Sequence, residues 1–309
     1  MTSAEKECEI WAVAGGKGGT GKSFISSCVG VSLAAKGKKV VLIDADLGGA
    51  NLHSFLGINK PKTSLTDFFE SRAALQELII PSGIPGMGLI TGNLHSLASD
   101  DIKYVQKLKL FRHIKALDAD HVLIDLGAGS HYNTLDTFLL ADKMIVVIVP
   151  EITSIENMYH FIKNAMFRKL TILFKTNGLR DMAEDTWKSR NTLGIKNFQE
   201  LVDYLKGTSD EIRELLDKGL AGFKIHFVLN KVKNTQEISI GLSVKSVCMK
   251  YLGFATQYVG YVEHDDCIRS CINNRLTFMR SYSSSRCAKE IEKLTENLIE
   301  GKQVNLMRY

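Results

Sequence analysis

Proline is scarce in this 309-residue sequence, which has only four, and low-complexity segments are absent from it. That composition argues against a disordered or linker-rich protein. The longest apolar run near the middle, Met144 to Val149, is far shorter than the roughly 18 residues of a membrane-spanning helix. Met1 to Glu9 is polar and does not resemble a secretory signal. The net charge of +5 is too small to indicate nucleic-acid binding by itself.

The cysteines do not follow the spacing of a disulfide framework or a zinc site. None of them forms a CxxC pair, and they are spread over the whole chain: Cys8, Cys28, Cys248, Cys267, Cys271 and Cys287. We therefore expect reduced thiols and a cytoplasmic protein.

Short β-branched runs alternate with longer amphipathic stretches, which predicts an α/β fold. We expect a doubly wound, mainly parallel sheet of about seven or eight strands with helices on both faces. The predicted strands are Ile10 to Ala14, Val40 to Asp44, Gly88 to Thr91, His121 to Asp125, Lys143 to Val149, Lys224 to Asn230 and Thr256 to Val262. The predicted helices are Lys22 to Lys36, Asp101 to Leu117, Ile155 to Leu170, Gln236 to Tyr251 and Ser284 to Ile299.

One connection between predicted strands is unusually long. Glu151 to Phe223 comprises 73 residues, whereas a crossover needs only about a dozen. Helical patterns fill much of it, at Asp181 to Arg190, Phe198 to Lys206 and Asp210 to Asp217. We therefore expect one domain over residues 1–309 with a helical insertion at about 165–222.

A glycine-rich segment follows the first predicted strand. Gly16 to Ser23 matches G-x-x-x-x-G-K-S/T between a strand and a helix, the context of a phosphate-binding loop. In such a loop backbone N–H groups and the helix N-terminus face the phosphates. Lys22 would neutralise the terminal phosphates and the Ser23 hydroxyl would bind Mg²⁺. The motif therefore predicts ATP or a similar nucleotide with Mg²⁺.

Carboxylates end two of the predicted strands. Asp44 and Asp46 close the second strand, and Asp125 ends an apolar strand before Gly127 and Gly129. Ligands bind beyond the carboxyl ends of the strands in open α/β sheets. Alternation points Asp44 and Asp46 to the same side if the strand continues that far. An acid after an apolar strand is the position at which a carboxylate holds Mg²⁺.

A second lysine distinguishes this phosphate loop from ordinary ones. The run Lys17-Gly18-Gly19-Thr20-Gly21-Lys22-Ser23 resembles the deviant Walker A motif of the MinD/ParA family of ATPases. The run from Asp125 to Gly129, Asp-Leu-Gly-Ala-Gly, resembles the form found in the flagellar-number regulators (FlhG/FleN) and their relatives. The resemblance implies a P-loop NTPase fold of the SIMIBI type. It also implies slow, partner-stimulated hydrolysis of ATP and a sandwich homodimer in the ATP state that recruits protein partners.

The resemblance also implies roles for individual residues. Lys17 would reach across the dimer to the partner's nucleotide, and Glu151 would approach the same nucleotide. Asp46 would orient or deprotonate the attacking water, Asp44 would support the metal shell, and Asp125 would hold Mg²⁺.

Two later segments resemble the parts of the family that contact the base. Asn230 and Lys231 correspond to the segment that reads adenine, and Val262 to the final strand beside it. The implied nucleotide contacts are Gly16, Lys17, Gly18, Gly19, Thr20, Gly21, Lys22, Ser23, Phe24, Glu151, Asn230, Lys231 and Val262. The implied metal ligands are Ser23, Asp44 and Asp125, and the implied catalytic residues are Lys17, Lys22 and Asp46.

The pathway stays open between a MinD- or FlhG-like positioning regulator and three alternatives. In the first reading, peripheral membrane contact through the last helix is open. Ile291, Leu294 and Leu298 form its apolar face, but Gly301 interrupts the pattern, and we expect the helix to pack on the domain. The protein partner is unidentified.

The second hypothesis is a ParA-like DNA-partitioning ATPase. A basic stretch of the sequence suggests it, but nucleic-acid binding is the less favoured interpretation of that stretch. Five basic residues lie on one amphipathic stretch, Lys103, Lys107, Lys109, Arg112 and Lys115, which we interpret as a solvated helix face.

The third hypothesis is an iron–sulfur carrier of the Mrp/NifH type, suggested by Cys267 and Cys271. Without a CxxC pair we expect no cluster. The fourth, an ATP-dependent amidoligase, lacks an apparent Cys-His-Glu glutaminase motif.

Overall fold

The computed structural model describes residues 8–46, 49, 51–59, 61–70, 72–92, 104–179, 181–254 and 256–304. The strands in these ranges are β1 (Glu9–Ala14), β2 (Val40–Ala45), β3 (Ile80–Pro81), β4 (Met87–Ile90), β5 (His121–Leu126), β6 (Lys143–Ile148), β7 (Ile225–Val232) and β8 (Thr256–Glu263). The helices before β6 are α1 (Lys22–Ala35), α2 (Leu52–Phe55), α3 (Leu65–Phe69), the 3₁₀-helix Leu75–Leu78, α4 (Tyr104–Lys115) and α5 (Tyr132–Leu140). The later helices are α6 (Ile152–Thr176), α7 (Met182–Lys188), α8 (Phe198–Lys206), α9 (Asp210–Leu220), α10 (Thr235–Leu252), α11 (Cys267–Asn273), α12 (Phe278–Ser281) and α13 (Arg286–Glu300).

In the described part of the chain the strands form one sheet in the order β3-β4-β2-β5-β1-β6-β7-β8. Neighbouring strands are parallel, apart from the two-residue β3, which pairs with β4 in antiparallel fashion. The predicted mainly parallel sheet is confirmed, and β3 is the strand that the sequence did not predict.

Helices cover both faces of the sheet. Alternation along β1 sends Ile10 and Ala12 into the core layer beneath α4, α5 and α6, while Trp11 and Val13 enter the layer beneath α1 and α13. Because both faces are buried, the central strands are apolar almost throughout. The predicted doubly wound architecture is therefore confirmed.

The long connection after β6 is helical. α6 runs unbroken from Ile152 to Thr176 and so passes through position 165, the predicted start of the insertion. The boundaries of α7, α8 and α9 agree within three residues with those of the three helices predicted there. The assignment of residues 1–309 to one domain with an insertion stays a prediction.

The last helix, α13, packs on the sheet. The side chains of Ile291, Leu294 and Leu298 are completely buried in the layer that also contains α1 and β8. Its apolar face is thus occupied within the chain. Among the described residues, no helix has the length and apolar character needed to span a membrane.

Candidate functional site

The phosphate loop joins β1 to α1, and its glycines meet two separate geometric demands. A Cβ on Gly16 would lie 2.3 Å from the backbone carbon and oxygen of Asn157 in α6, so only glycine allows this close approach. Gly21 adopts φ 93° at the start of α1, where a side chain would also meet the Asn230 amide. The loop is therefore wedged between α6 and the end of β7.

Polar groups inside this loop suit a phosphate. Lys22 is buried at the first position of α1. The Thr20 hydroxyl is buried and, among the described residues, has no hydrogen-bond partner. Because a buried hydroxyl without a partner is costly, an anionic ligand in the loop would supply the missing bond. These residues fit the predicted nucleotide phosphates.

Two buried acids face each other across the strand pair next to the loop. Asp44 of β2 and Asp125 of β5 are register partners, and both side chains are buried. Burial, reinforced by the neighbouring Asp125 charge, raises the pKa of Asp44 to about 7. Burial also raises the pKa of Asp125 to about 6, against hydrogen bonds from Ser23 and Ser26 and the nearby Lys22 charge. The site therefore concentrates carboxylate oxygens that a cation would stabilise.

Asp44 also anchors the segment that carries Asp46. Its two carboxylate oxygens accept hydrogen bonds from the backbone N–H groups of Asp46 at 3.1 Å and Leu52 at 2.9 Å. The Asp46 carboxylate faces Gly127, where a built Cβ would lie 3.4 Å from Asp46 Oδ1. The structure thus brings together the three predicted acids, Asp44, Asp46 and Asp125.

The donor set matches Mg²⁺. Mg²⁺ prefers oxygen ligands and is usually held by one or two carboxylates together with substrate phosphates and water. Ser23, Asp44 and Asp125 offer oxygens of this kind beside the loop. The described residues contain no group of three or more His, Cys, Asp or Glu side chains that could hold a metal, but a site shared with phosphates does not require one.

Lys17 is held by the start of α6 in the same chain. Its Nζ donates to Glu151 Oε2 at 2.6 Å and to the Thr153 hydroxyl at 3.1 Å. The Lys17 ammonium lowers the pKa of Glu151, and the pair is open to solvent. The sequence indicated Lys17 and Glu151 separately but gave no signal for their pairing or for Thr153.

Asn230 and Lys231 contact the loop backbone. Asn230 Nδ2 donates to the Thr20 carbonyl oxygen at 2.8 Å, and Lys231 Nζ donates to the Gly19 carbonyl oxygen at 2.8 Å. Lys231 takes up φ 58° at the end of β7, an uncommon conformation for a residue with a side chain. The two residues therefore brace the loop, a contact that the sequence pattern did not reveal.

A cavity of about 340 Å³ adjoins the loop on this side. Its volume and position suit the base of a bound nucleotide. Val262 is fully buried and does not line this cavity. The last residue of β8, Glu263, does. The lining residues are Gly21, Phe24, Asn230, Lys231, Glu263, His264, Asp265, Asp266, Ile268 and Arg269.

Comparison with known protein families decides the relationship. Residues 11–278 match the family model described as the CobQ/CobB/MinD/ParA nucleotide binding domain. The chain belongs to the CobQ/CobB/MinD/ParA family. The resemblance seen in the phosphate loop is therefore confirmed.

Individual relatives agree with this assignment. The antiactivator FleN of Pseudomonas aeruginosa is 31% identical over 157 residues, covering 50% of this chain and 55% of FleN. The septum site-determining protein MinD of Helicobacter pylori is 35% identical over 154 residues, covering 48% of this chain and 55% of MinD. The chain thus matches about half the length of these curated relatives.

A solved structure shares the fold over almost the whole chain. MinD of Pyrococcus horikoshii, complexed with Mg-ADP, superposes with a TM-score of 0.65 at 20% identity and covers 94% of this chain and 96% of its own. At this identity the likeness concerns the fold.

The basic stretch considered for DNA binding is only partly a solvated face in this family member. Lys107 is buried and forms an ion pair with Asp136, so the prediction of a solvated side chain was wrong there. Lys115 pairs with Asp142, while Lys109 and Arg112 are exposed. Lys103 lies outside the described residues.

Both cysteines considered for a cluster lie in surroundings that raise their thiol pKa values. Cys271 is buried and its pKa is raised by burial. The pKa of Cys267 is raised by its hydrogen bond with Asp265. A raised pKa opposes the thiolate form that binds iron.

Proposed function

We propose that this protein is an ATP-hydrolysing switch. ATP with Mg²⁺ would favour a face-to-face homodimer that recruits a protein partner, and hydrolysis to ADP and phosphate would release it. One observation carries the proposal: a single loop bears two lysines with different environments. Lys22 is buried inside the loop, whereas Lys17 points away to Glu151 and Thr153 and remains available for a second nucleotide.

The residues of one protomer suffice to bind ATP and prepare the attacking water. Backbone N–H groups of the loop and Lys22 bind the phosphates, and Ser23, Asp44 and Asp125 would hold Mg²⁺. The ion would neutralise charge developing on the β- and γ-phosphate oxygens. Asp46 would orient the water and accept its proton at the carboxylate. The Mg-ADP complex of the Pyrococcus horikoshii MinD supports this choice of nucleotide and ion.

Lys17 would supply the dimer dependence. Its ion pair with Glu151 is exposed, and exposed pairs contribute little because water screens them. The triphosphate of a second copy carries several negative charges and can compete for the same ammonium. Transfer of Lys17 to that nucleotide also frees Glu151 to approach it. ATP would thus shift the population toward the dimer, and loss of the γ-phosphate would reverse the shift.

The base would lie in the cavity lined by Phe24, Asn230 and Lys231. Val262 is buried and would support the wall of this cavity without contacting the base.

The helices of the 165–222 segment are proposed as a family-atypical insertion within one domain. A cytoplasmic location is likewise proposed, and membrane contact would need a surface other than the buried apolar face of α13.

The mass in solution tests this proposal most directly. Wild type, Asp46→Ala and Lys17→Ala are compared with Mg²⁺ and either ATP or ADP. We expect Asp46→Ala to trap a stable dimer with ATP and to remain monomeric with ADP, because binding persists while hydrolysis is lost. Lys17→Ala should bind ATP and stay monomeric.

Asp118→Ala serves as the control because Asp118 is an exposed acid paired with Lys39, outside the site. It should behave as the wild type does. A mass that ignores nucleotide in all four proteins would reject the switch, and a normal ATP dimer of Lys17→Ala would reject the role of that lysine.

A further inference from the structure

Three charged side chains meet at a buried carboxylate that the proposed mechanism does not use. Lys107 Nζ of α4 lies 2.7 Å from Asp136 Oδ2 of α5. Arg168 of α6 donates to the same carboxylate, through Nε to Oδ1 at 2.7 Å and through Nη2 to Oδ2 at 3.2 Å. Asp136 is only 2% exposed and Lys107 4%. The Arg168 side chain is 24% exposed. We call Lys107, Asp136 and Arg168 the charged triad.

Stability alone is a weak reason for such a cluster. Removing the Lys107 ammonium and the Asp136 carboxylate from water costs several kcal/mol per ion, and apolar side chains of similar volume often stabilise a core as well or better. The geometry is nevertheless restrictive, because Arg168 binds Asp136 through two parallel bonds. The charged triad therefore fixes the relative position of α4, α5 and α6 more narrowly than apolar packing would.

Two of these helices begin at the nucleotide site. α5 follows directly after the Asp125–Gly129 loop, and Arg168 also stacks on Tyr132 in its first turn, 4.8 Å from the ring centre. Glu151 is the N-cap of α6 and Thr153 lies in its first turn, and both accept hydrogen bonds from Lys17. A continuous helix transmits a displacement along its length, so the triad joins the loop after Asp125 to the residues that hold Lys17.

The loop after Asp125 also has space in which to move. A cavity of about 480 Å³ adjoins it and reaches Lys107 of the triad. Asp46, Gly127 and Ala128 line the cavity toward the nucleotide site, and Lys107 and Tyr132 line it toward the triad. A shift of Gly127 and Ala128 can therefore be accommodated, and Tyr132 at the start of α5 borders the same space.

We propose that Lys107, Asp136 and Arg168 are positioning residues of the ATP-dependent switch. The triad keeps α5 in register with α4 and α6, so that a change at the loop after Asp125 reaches the start of α6 and alters the hold on Lys17. This inference rests on the proposed function. It concerns the coupling between γ-phosphate and Lys17 and leaves nucleotide binding itself unaffected.

The decisive variant replaces the whole triad by apolar residues, Lys107→Met with Asp136→Leu and Arg168→Met. Removing all three charges together leaves no unpaired ion, so the variant is expected to fold. We expect ADP affinity within about threefold of wild type, but ATP turnover and ATP-dependent dimerisation reduced about tenfold or more. Hydrogen exchange of the Tyr132–Leu140 peptide should also lose its difference between the ATP and ADP states. A purely structural triad would change the melting temperature alone.

Arg168→Lys gives a milder second test, since this side chain is partly exposed and the change keeps the charge while removing the two-bond geometry. It should show the same defect to a smaller extent at nearly unchanged stability. Lys115→Met is the matched control and should behave as wild type, because it removes a lysine of α4, the helix of Lys107, whose pair with Asp142 is exposed. Wild-type turnover and exchange differences in Arg168→Lys, or in the apolar triple variant, would overturn the inference. A wild type that itself neither hydrolyses ATP nor dimerises would instead reject the proposed function.

Discussion

At the scale of single residues, Gly16 should be far less replaceable than its neighbour Gly18. A Cβ on Gly16 would collide with the Asn157 backbone at 2.3 Å, whereas a Cβ on Gly18 meets nothing within 4 Å. We expect Gly16→Ala to lower the free energy of unfolding by about 1–3 kcal/mol, the usual cost of overpacking. Gly18→Ala should change it by about 0.5 kcal/mol or less. Urea unfolding without nucleotide measures both, and equal losses would show that α6 does not confine the loop.

The residues of the site differ in how far the sequence predicts them. The loop and Asp125 follow from contiguous motifs, since a strand, a glycine run and a helix position phosphate contacts locally. The contact between Lys17 and Thr153 joins residues 136 positions apart, and nothing in the spacing encodes it. Asn230 shows the same limit: the sequence placed it at the base, and its observed bond is to the phosphate loop. Contacts between residues far apart in the sequence can be identified only once the tertiary structure is known.

At the scale of elements, α13 acts as a structural helix, and two of its residues can show this. Leu294 is completely buried and packs against Gly260 of β8, whereas Ile299 on the same helix is 41% exposed. We expect Leu294→Ala to cost about 2–5 kcal/mol of unfolding free energy and Ile299→Ala about 1 kcal/mol or less. Thermal or urea unfolding without lipid measures both. Similar small effects would mean that α13 is detachable and available to a membrane.

Length explains which elements the sequence predicts. Long helices such as α6 and α10 carry enough apolar repeats to establish a period, and buried strands are marked by β-branched runs. α2 and α12, with four residues each, span about one turn, which is too short for a period to appear. α5 is longer, but its sequence YNTLDTFLL contains threonines and an acid. That acid, Asp136, is satisfied by Lys107 and Arg168, which lie on other helices, so local sequence gives no reason to place it in a core.

At the scale of the whole molecule, stability against pH is a sum of opposing contributions. Burial raises the pKa of Glu290 to about 7, so the folded state takes up a proton there more readily and gains stability as the pH falls through 7 toward 4.5. His226 acts in the opposite direction. Burial, with the nearby Lys143 and Lys224 charges, lowers its pKa to about 4, against a hydrogen bond to the Met144 carbonyl. A pH profile of the wild type alone therefore cannot separate the two.

A difference between variants isolates the histidine. The folded protein keeps His226 neutral down to about pH 4, while the unfolded chain protonates it below about 6.5. Its contribution is therefore complete above pH 6.5 and is lost as the pH falls toward 4. Between pH 7.5 and 5.5 the wild type should lose about 1.4 kcal/mol more unfolding free energy than His226→Gln. His226→Asn, which also lacks a titrating group, should give the same difference. A difference in unfolding free energy between wild type and both variants that stays constant with pH would contradict the burial of a neutral imidazole at the start of β7.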